Sequence, residues 1–260
     1  MMVRTKLASP INSISNMRIL APLLPYITIG SGLLALHNAW VAILGYHLCM
    51  VIILFFARTK IPFTQIHARS NYKILIVVSI LGGAGGFLLY LLWPLLAIPK
   101  DISLYLQNIG LTSSMWPYFL VYFILVNPWL EECYWRGYLG SNSQNITLHD
   151  LLFSGYHIIV LAGKIDIIWL VIIFFILSLG AWFWRQANRW NQGISASIIS
   201  HIVADASVIL TIYFLTTRIW LTSLICFSKE QEKWQCPECG GVTCCHNGLC
   251  FIYNVLNNCW

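Results

Sequence analysis

Seven apolar runs, most of them about as long as a bilayer is thick, follow one another along this chain with short polar connections between them. A helix needs about 20 apolar residues to cross a membrane. Runs of that kind lie at 19–36, 38–57, 74–98, 115–139, 147–163, 165–184 and 194–216. Inside a bilayer the backbone must satisfy its own hydrogen bonds, which a helix does within itself. Continuous apolar runs, with no strict alternation, select helices. Charged residues make up 9% of the 260 positions and hydrophobic ones 58%, against about 25% charged in soluble domains. The expected fold is therefore all-α, a polytopic transmembrane bundle of seven to eight helices. The eighth is the segment 219–227, too short to cross alone and suited to a half-buried or interfacial position. The bundle should occupy residues 1–227, followed by a cysteine-rich polar tail at 228–260.

The net charge of +6 calls for no nucleic-acid partner, because Lys and Arg collect in cytoplasmic loops. Arg4, Lys6 and Arg18 precede the first run, which lacks a small-residue cleavage site and reads as an uncleaved signal-anchor. Arg58, Lys60, Arg69 and Lys73 share one connection, and Arg185 with Arg189 another. The opposite connections carry Lys100 with Asp101 and Lys164 with Asp166. A cytoplasmic N-terminus puts every basic cluster on one side of a multi-pass protein. The run GGAGG at 82–86 has the spacing that lets two helix backbones approach closely.

Ionisable side chains within spans are costly and usually serve a function. Glu131 and Glu132 are the first glutamates in the chain and stand side by side in "NPWLEECYWRGYLG". Arg136 follows Glu132 at i+4, the spacing of a helical ion pair. His157 lies in "LLFSGYHIIV", and His201 with Asp205, again i and i+4, in "SIISHIVADASVIL". Glu131 sits about 100° around the helix from Glu132 and is free to face elsewhere. Counted at about 1.5 Å per residue, Glu131, His157 and His201 lie roughly 10–15 Å below the cytoplasmic surface. Three helices thus bring one carboxylate and two imidazoles to one level, in a site opening toward the cytoplasm. His37, His47, His67 and His149, near span ends or in loops, read as ordinary hydrogen-bonded histidines.

In order and separation these segments resemble the CPBP family, the CAAX-protease and bacteriocin-processing (Abi) intramembrane endopeptidases. Its pattern is EExxxR, then FxxxH, then HxxxN or HxxxD, carried here by "EECYWR", "FSGYH" and "HIVAD". The motif core runs over 115–216. The resemblance implies a membrane hydrolase of the metalloendopeptidase type, related to the type II CAAX prenyl endopeptidase. It would cleave peptides or lipid-modified proteins among membrane lipids. Glu131, Glu132, Arg136, His157, His201 and Asp205 are then the catalytic set. Glu131 acts as general base, and the two histidines either ligate zinc together with Glu131 or hydrogen-bond the oxyanion. Asp205 stands where the CAAX-enzyme branch has asparagine, which points to the broader branch and leaves the substrate open. The competing expectation is a membrane immunity or scaffold protein of the same family without proteolysis. The tail contains "CPECGGVTCCHNGLC", whose Cys236, Cys239, Cys244, Cys245, His246 and Cys250 have the composition of zinc ligands. Disulfides or no fixed structure fit it as well.

Overall fold

The computed structural model describes residues 19–57 and 71–217 in full, and the backbone of 218–230. Arg4, Lys6, Arg18, the basic residues at 58–69 and the cysteine-rich tail from 231 onward lie outside the described residues. Among the described residues every regular element is helical. One compact unit spans Met1–Tyr213, and a second takes in Phe214–Trp260. Four helices are long and apolar enough to cross a membrane: Ala39–Phe56, Tyr72–Leu95, Ile167–Asn191 and Ser195–Thr217. Their outward faces carry exposed Phe55, Ile80, Phe87 and Ile168, while Glu131, Glu132, His47 and His201 are buried. Polar inside and apolar outside is the arrangement of an integral membrane protein.

The first helix, α1 (Ala21–Ala35), starts as a 3₁₀ turn around Pro22 and widens to a π turn at Ser31–Ala35. Helix α2 (Ala39–Phe56) is capped by Asn38, whose side chain accepts the Val41 N–H at 3.0 Å. Helix α3 (Tyr72–Leu92) is capped in the same way by Asn71. These caps satisfy amide donors that a helix start leaves free. A short helix, α4 (Ile102–Asn108), occupies the connection that follows, where the sequence suggested only a loop.

The run 115–139 is not one helix. It divides into α5 (Trp116–Leu125), α6 (Asn127–Glu131) and a π turn at Glu132–Tyr138. Pro128 has no N–H and its ring crowds the carbonyl four residues back, which breaks the ladder at Val126. The π turn then sets the register of the two glutamates, and such turns occur often at functional sites. Helix α7 (Leu148–Leu161) has a capping box in which Thr147 and Asp150 bond each other's backbone N–H. Helices α8 (Ile167–Asn191) and α9 (Ser195–Glu230) follow. The segment 219–227, expected as a separate helix, is part of α9. The runs at 19–36 and 147–163 become α1 and α7, apolar helices shorter than the four spans.

Small residues and a few hydrogen bonds hold the polar helices in place. Gly82 and Gly86 of α3 lie so close to α9 that a Cβ on either would collide with the backbone of Ser200 or Ser207. The contact is bonded as well: Ser200 Oγ donates to Val78 O at 2.6 Å, and Gly86 N donates to Ser207 Oγ at 3.1 Å. Tyr26 OH donates to Leu152 O, and Tyr134 OH donates to Ala21 O, both at 2.7 Å. These two bonds tie α1 to α7 and to the π turn. Arg185, expected as a basic loop residue, is instead buried within α8. Its Nη2 lies 2.6 Å from Asp150 Oδ2, and it donates to the carbonyls of Ser143 and Asn145. The pair fastens the loop after the π turn to α7 and α8. A buried ion pair of this kind survives only when each charge is also hydrogen-bonded.

Candidate active site

Glu132 is fully buried and anchors two other groups. Its Oε1 lies 3.0 Å from Arg136 Nη1 and accepts from His201 Nδ1 at 2.9 Å. The Arg136 contact is charge pairing at i,i+4, since neither η nitrogen is aligned for a hydrogen bond. Its guanidinium lies over the rings of Phe153 and Trp184, at 4.1 and 5.0 Å from their centroids. Those faces supply the cation–π attraction that a desolvated cation needs. Trp184 also stacks on the His201 ring at 4.5 Å between centroids. His201 is thereby held by a carboxylate at Nδ1 and by an indole on its face, with Nε2 turned inward.

Glu131 points the other way, toward α7. Its Oε1 accepts a short hydrogen bond from Tyr156 OH. Its Oε2 lies 3.6 Å from His201 Nε2, is buried, and has no hydrogen-bond partner in the protein. The Tyr156 ring is fixed by Trp135, which stacks on it at 6.0 Å, and by Tyr46 at 5.4 Å. Trp135 Nε1 in turn donates to Tyr46 OH at 2.9 Å. His157, the next residue, lies on the Tyr156 ring at 4.1 Å. Its Nδ1 is 2.8 Å from Phe153 O. A carbonyl only accepts, so Nδ1 carries the hydrogen, and Nε2 of the neutral ring presents a lone pair.

Asp205 closes the site from α9. Its Oδ1 lies 3.4 Å from His201 Nε2, and its Oδ2 accepts from Asn127 Nδ2 at 2.9 Å. Asn127 Oδ1 lies 3.0 Å from His47 Nε2, and His47 Nδ1 lies 2.7 Å from Tyr122 OH. All six residues singled out from the sequence are therefore within the bundle. Glu131, Glu132, Arg136, His201 and Asp205 make direct contacts, while His157 joins through Tyr156 and Phe153. Asn127, His47 and Tyr156 were not among them. Asn127 was within reach of the same reasoning, as an amide inside an apolar run at i−4 from Glu131. His47, expected as an ordinary hydrogen-bonded histidine near a span end, is mid-helix and connects to Asp205.

Both imidazoles have Nδ1 engaged by an acceptor, which leaves Nε2 as the atom offered to the site. Metal-binding histidines are oriented in this way, and the unpartnered Glu131 Oε2 suits the same role. Yet among the described residues no three His, Cys, Asp or Glu side chains are grouped as they would be around a metal ion.

Comparison with known families adds one result. Residues 113–207 match the family model described as Type II CAAX prenyl endopeptidase Rce1-like. The matched stretch runs from just before α5 into α9 and contains all six residues, while α1 to α4 fall outside it. No curated protein matches the chain, and no solved structure does.

Proposed function

We propose that this chain, whose residues 113–207 match the Rce1-like model of type II CAAX prenyl endopeptidases, is an intramembrane endopeptidase acting on lipid-modified or membrane-associated proteins. The observation that carries this reading is the buried, unpartnered Oε2 of Glu131, facing Nε2 of His201. A buried carboxylate oxygen without a partner is costly, and a reacting water satisfies it.

The chemistry then follows from the side chains. Glu131 Oε2 takes a proton from water as the water oxygen bonds to the scissile carbonyl carbon, and the carbonyl electrons move onto oxygen. Tyr156 holds the other carboxylate oxygen, so the base meets the substrate in one orientation. His201 Nε2, aimed at the same gap, donates to the oxyanion in its protonated form. Glu132 and Trp184 keep that ring from turning. Collapse breaks the C–N bond, and the proton on Glu131 passes to the leaving amine. Loss of one oxyanion donor typically lowers kcat by about 10²–10³.

A divalent metal, zinc first, is the second half of this proposal. Glu131 Oε2 with Nε2 of His157 and His201 are the donors that would have to converge on it, a grouping the described residues do not show, and it would supply a Lewis acid and a more acidic water. No step above depends on it. Turnover abolished by a chelator and restored by zinc is its signature, while chelator-resistant turnover assigns the chemistry to the side chains alone. The cysteine-rich tail as a second zinc site is a separate proposal, decided by the zinc content of the tail's Cys→Ser variants.

The reading is tested by reconstituting the protein in vesicles with a prenylated CAAX peptide and the same peptide without its lipid. Release of the last three residues, faster from the prenylated peptide, is expected. A protein that leaves these and a general membrane-peptide library intact, yet still acts in cells, would be an immunity or scaffold protein.

A further inference from the structure

The polar groups of the site do not end at Asp205. Behind it, four side chains from α2, α5, α6 and α9 form one continuous series inside the bundle: Tyr122, His47, Asn127 and Asp205. Its direction can be read from chemistry. Asp205 Oδ2 accepts from the Asn127 amide, which fixes which end of that amide is nitrogen. Asn127 Oδ1 must then accept, so His47 Nε2 carries a hydrogen and donates across 3.0 Å. His47 Nδ1 is left with its lone pair and accepts from Tyr122 OH at 2.7 Å. Every donor points toward Asp205, whose remaining oxygen faces His201 Nε2 at 3.4 Å.

We propose that Tyr122, His47 and Asn127 are positioning residues for the reaction, setting the carboxylate of Asp205 and through it the Nε2 side of His201. The inference rests on the endopeptidase reading of the site. Two features separate it from ordinary packing. His47 and Asn127 are buried, at 3% and 5% exposure, so an unused hydrogen-bonding group there would be costly. And the series ends on a residue that, among the described residues, shares the inner nitrogen of His201 with Glu131. His201 is thus held from both sides, by Glu132 at Nδ1 and by the Asp205 series at Nε2. Partners that orient a metal-binding histidine typically contribute about 10–100-fold to activity, and an effect of the same order is expected for His201.

The test exchanges the amide and the carboxylate. Asn127→Asp alone sets two carboxylates against each other, whereas Asp205→Asn alone leaves an amide oxygen that can still accept from Asn127. Asn127→Asp with Asp205→Asn restores one donor and one acceptor: the new amide at 205 donates to the carboxylate at 127, which still accepts from His47. In reconstituted full-length protein, Asn127→Asp and Asn127→Leu should lower kcat by roughly 10–100-fold with KM little changed. The exchanged pair should recover most of that loss. His47→Gln keeps an N–H in place and should exceed His47→Leu. Because Asn127→Leu can reduce folded yield, rates are taken per folded protein, and the ¹⁵N spectrum of His47 gives a readout independent of activity. The Nε2–H tautomer is expected. The Nδ1–H tautomer, or an exchanged pair no better than Asn127→Asp at equal folded yield, would overturn the proposal. So would wild-type kcat in Asn127→Leu. Glu131→Gln is assayed alongside: if it cleaves at the wild-type rate, the endopeptidase reading itself fails, whatever His47 shows.

Discussion

Glu132 and Arg136 show how much rests on single side chains in a site this apolar. Glu132 has no exposure to solvent, and its charge is balanced by Arg136 on the next turn and by the N–H of His201. Removing one partner of a buried ion pair leaves the other uncompensated, at about 3–5 kcal/mol. Arg136→Ala is therefore expected to lower the thermal stability of the detergent-solubilised protein by that order and to reduce activity with it. Stability and turnover equal to wild type would show that the pair carries no load. Arg136→Lys should recover only part of the loss, because an ammonium lacks the flat guanidinium that lies over Phe153 and Trp184. At this scale the sequence was legible where charge is scarce. Two adjacent glutamates in an apolar run have few explanations besides function, and i,i+4 spacing named the partner of Glu132. It was not legible for Arg185. A basic residue at the end of an apolar run, four before Arg189, looks like a loop signal. Its partner Asp150 lies 35 positions earlier, and nothing in either local sequence announces the pairing. His47 was opaque for a similar reason, since its link to Asp205 passes through Asn127, on a third helix.

Among the elements, α3 closely meets α9, the helix that carries His201 and Asp205. The GGAGG run was readable as a close-approach site, and its partner proves to be the serine-bearing face of α9. This gives a prediction with opposite signs at two glycines. A methyl at Gly86 would collide with the Ser207 backbone, and forced overpacking costs about 1–3 kcal/mol. Nothing lies within 4 Å of a methyl at Gly180 in α8, where Gly→Ala in a helix interior is worth roughly 0.5–1 kcal/mol. Gly86→Ala should thus lower the midpoint of thermal unfolding and Gly180→Ala raise it. A shift of the same sign in both would contradict the packing described. The break in the run 115–139 was hidden because its residues are apolar on both sides of Pro128, so hydropathy reads straight through it. The proline itself was the available signal. Its effect on the two glutamates, passed through the π turn, required the backbone to be seen.

Over the whole molecule, two expectations remain to be measured. One is orientation. By the positive-inside rule the basic residues at 58–73 and Arg189 would put the N-terminus in the cytoplasm, although Arg185, being buried, no longer counts toward it. A single cysteine introduced at 58–73 in a protein without its native cysteines should react with an impermeant reagent only from the cytoplasmic side. Reaction from outside intact cells would reverse the topology and the side to which the site opens. The other is the central claim, that residues delivered by α6, α7 and α9 work as one catalytic unit. Residues that act as a unit are strongly non-additive. The most direct measurement is turnover, per folded protein in vesicles, for Glu131→Gln, His157→Ala, His201→Ala and the triple variant. Each single change should remove nearly all cleavage, with the triple variant little slower than the slowest single one. Losses that multiply from one variant to the next, or a Glu131→Gln protein that still cleaves at the wild-type rate, would contradict the claim.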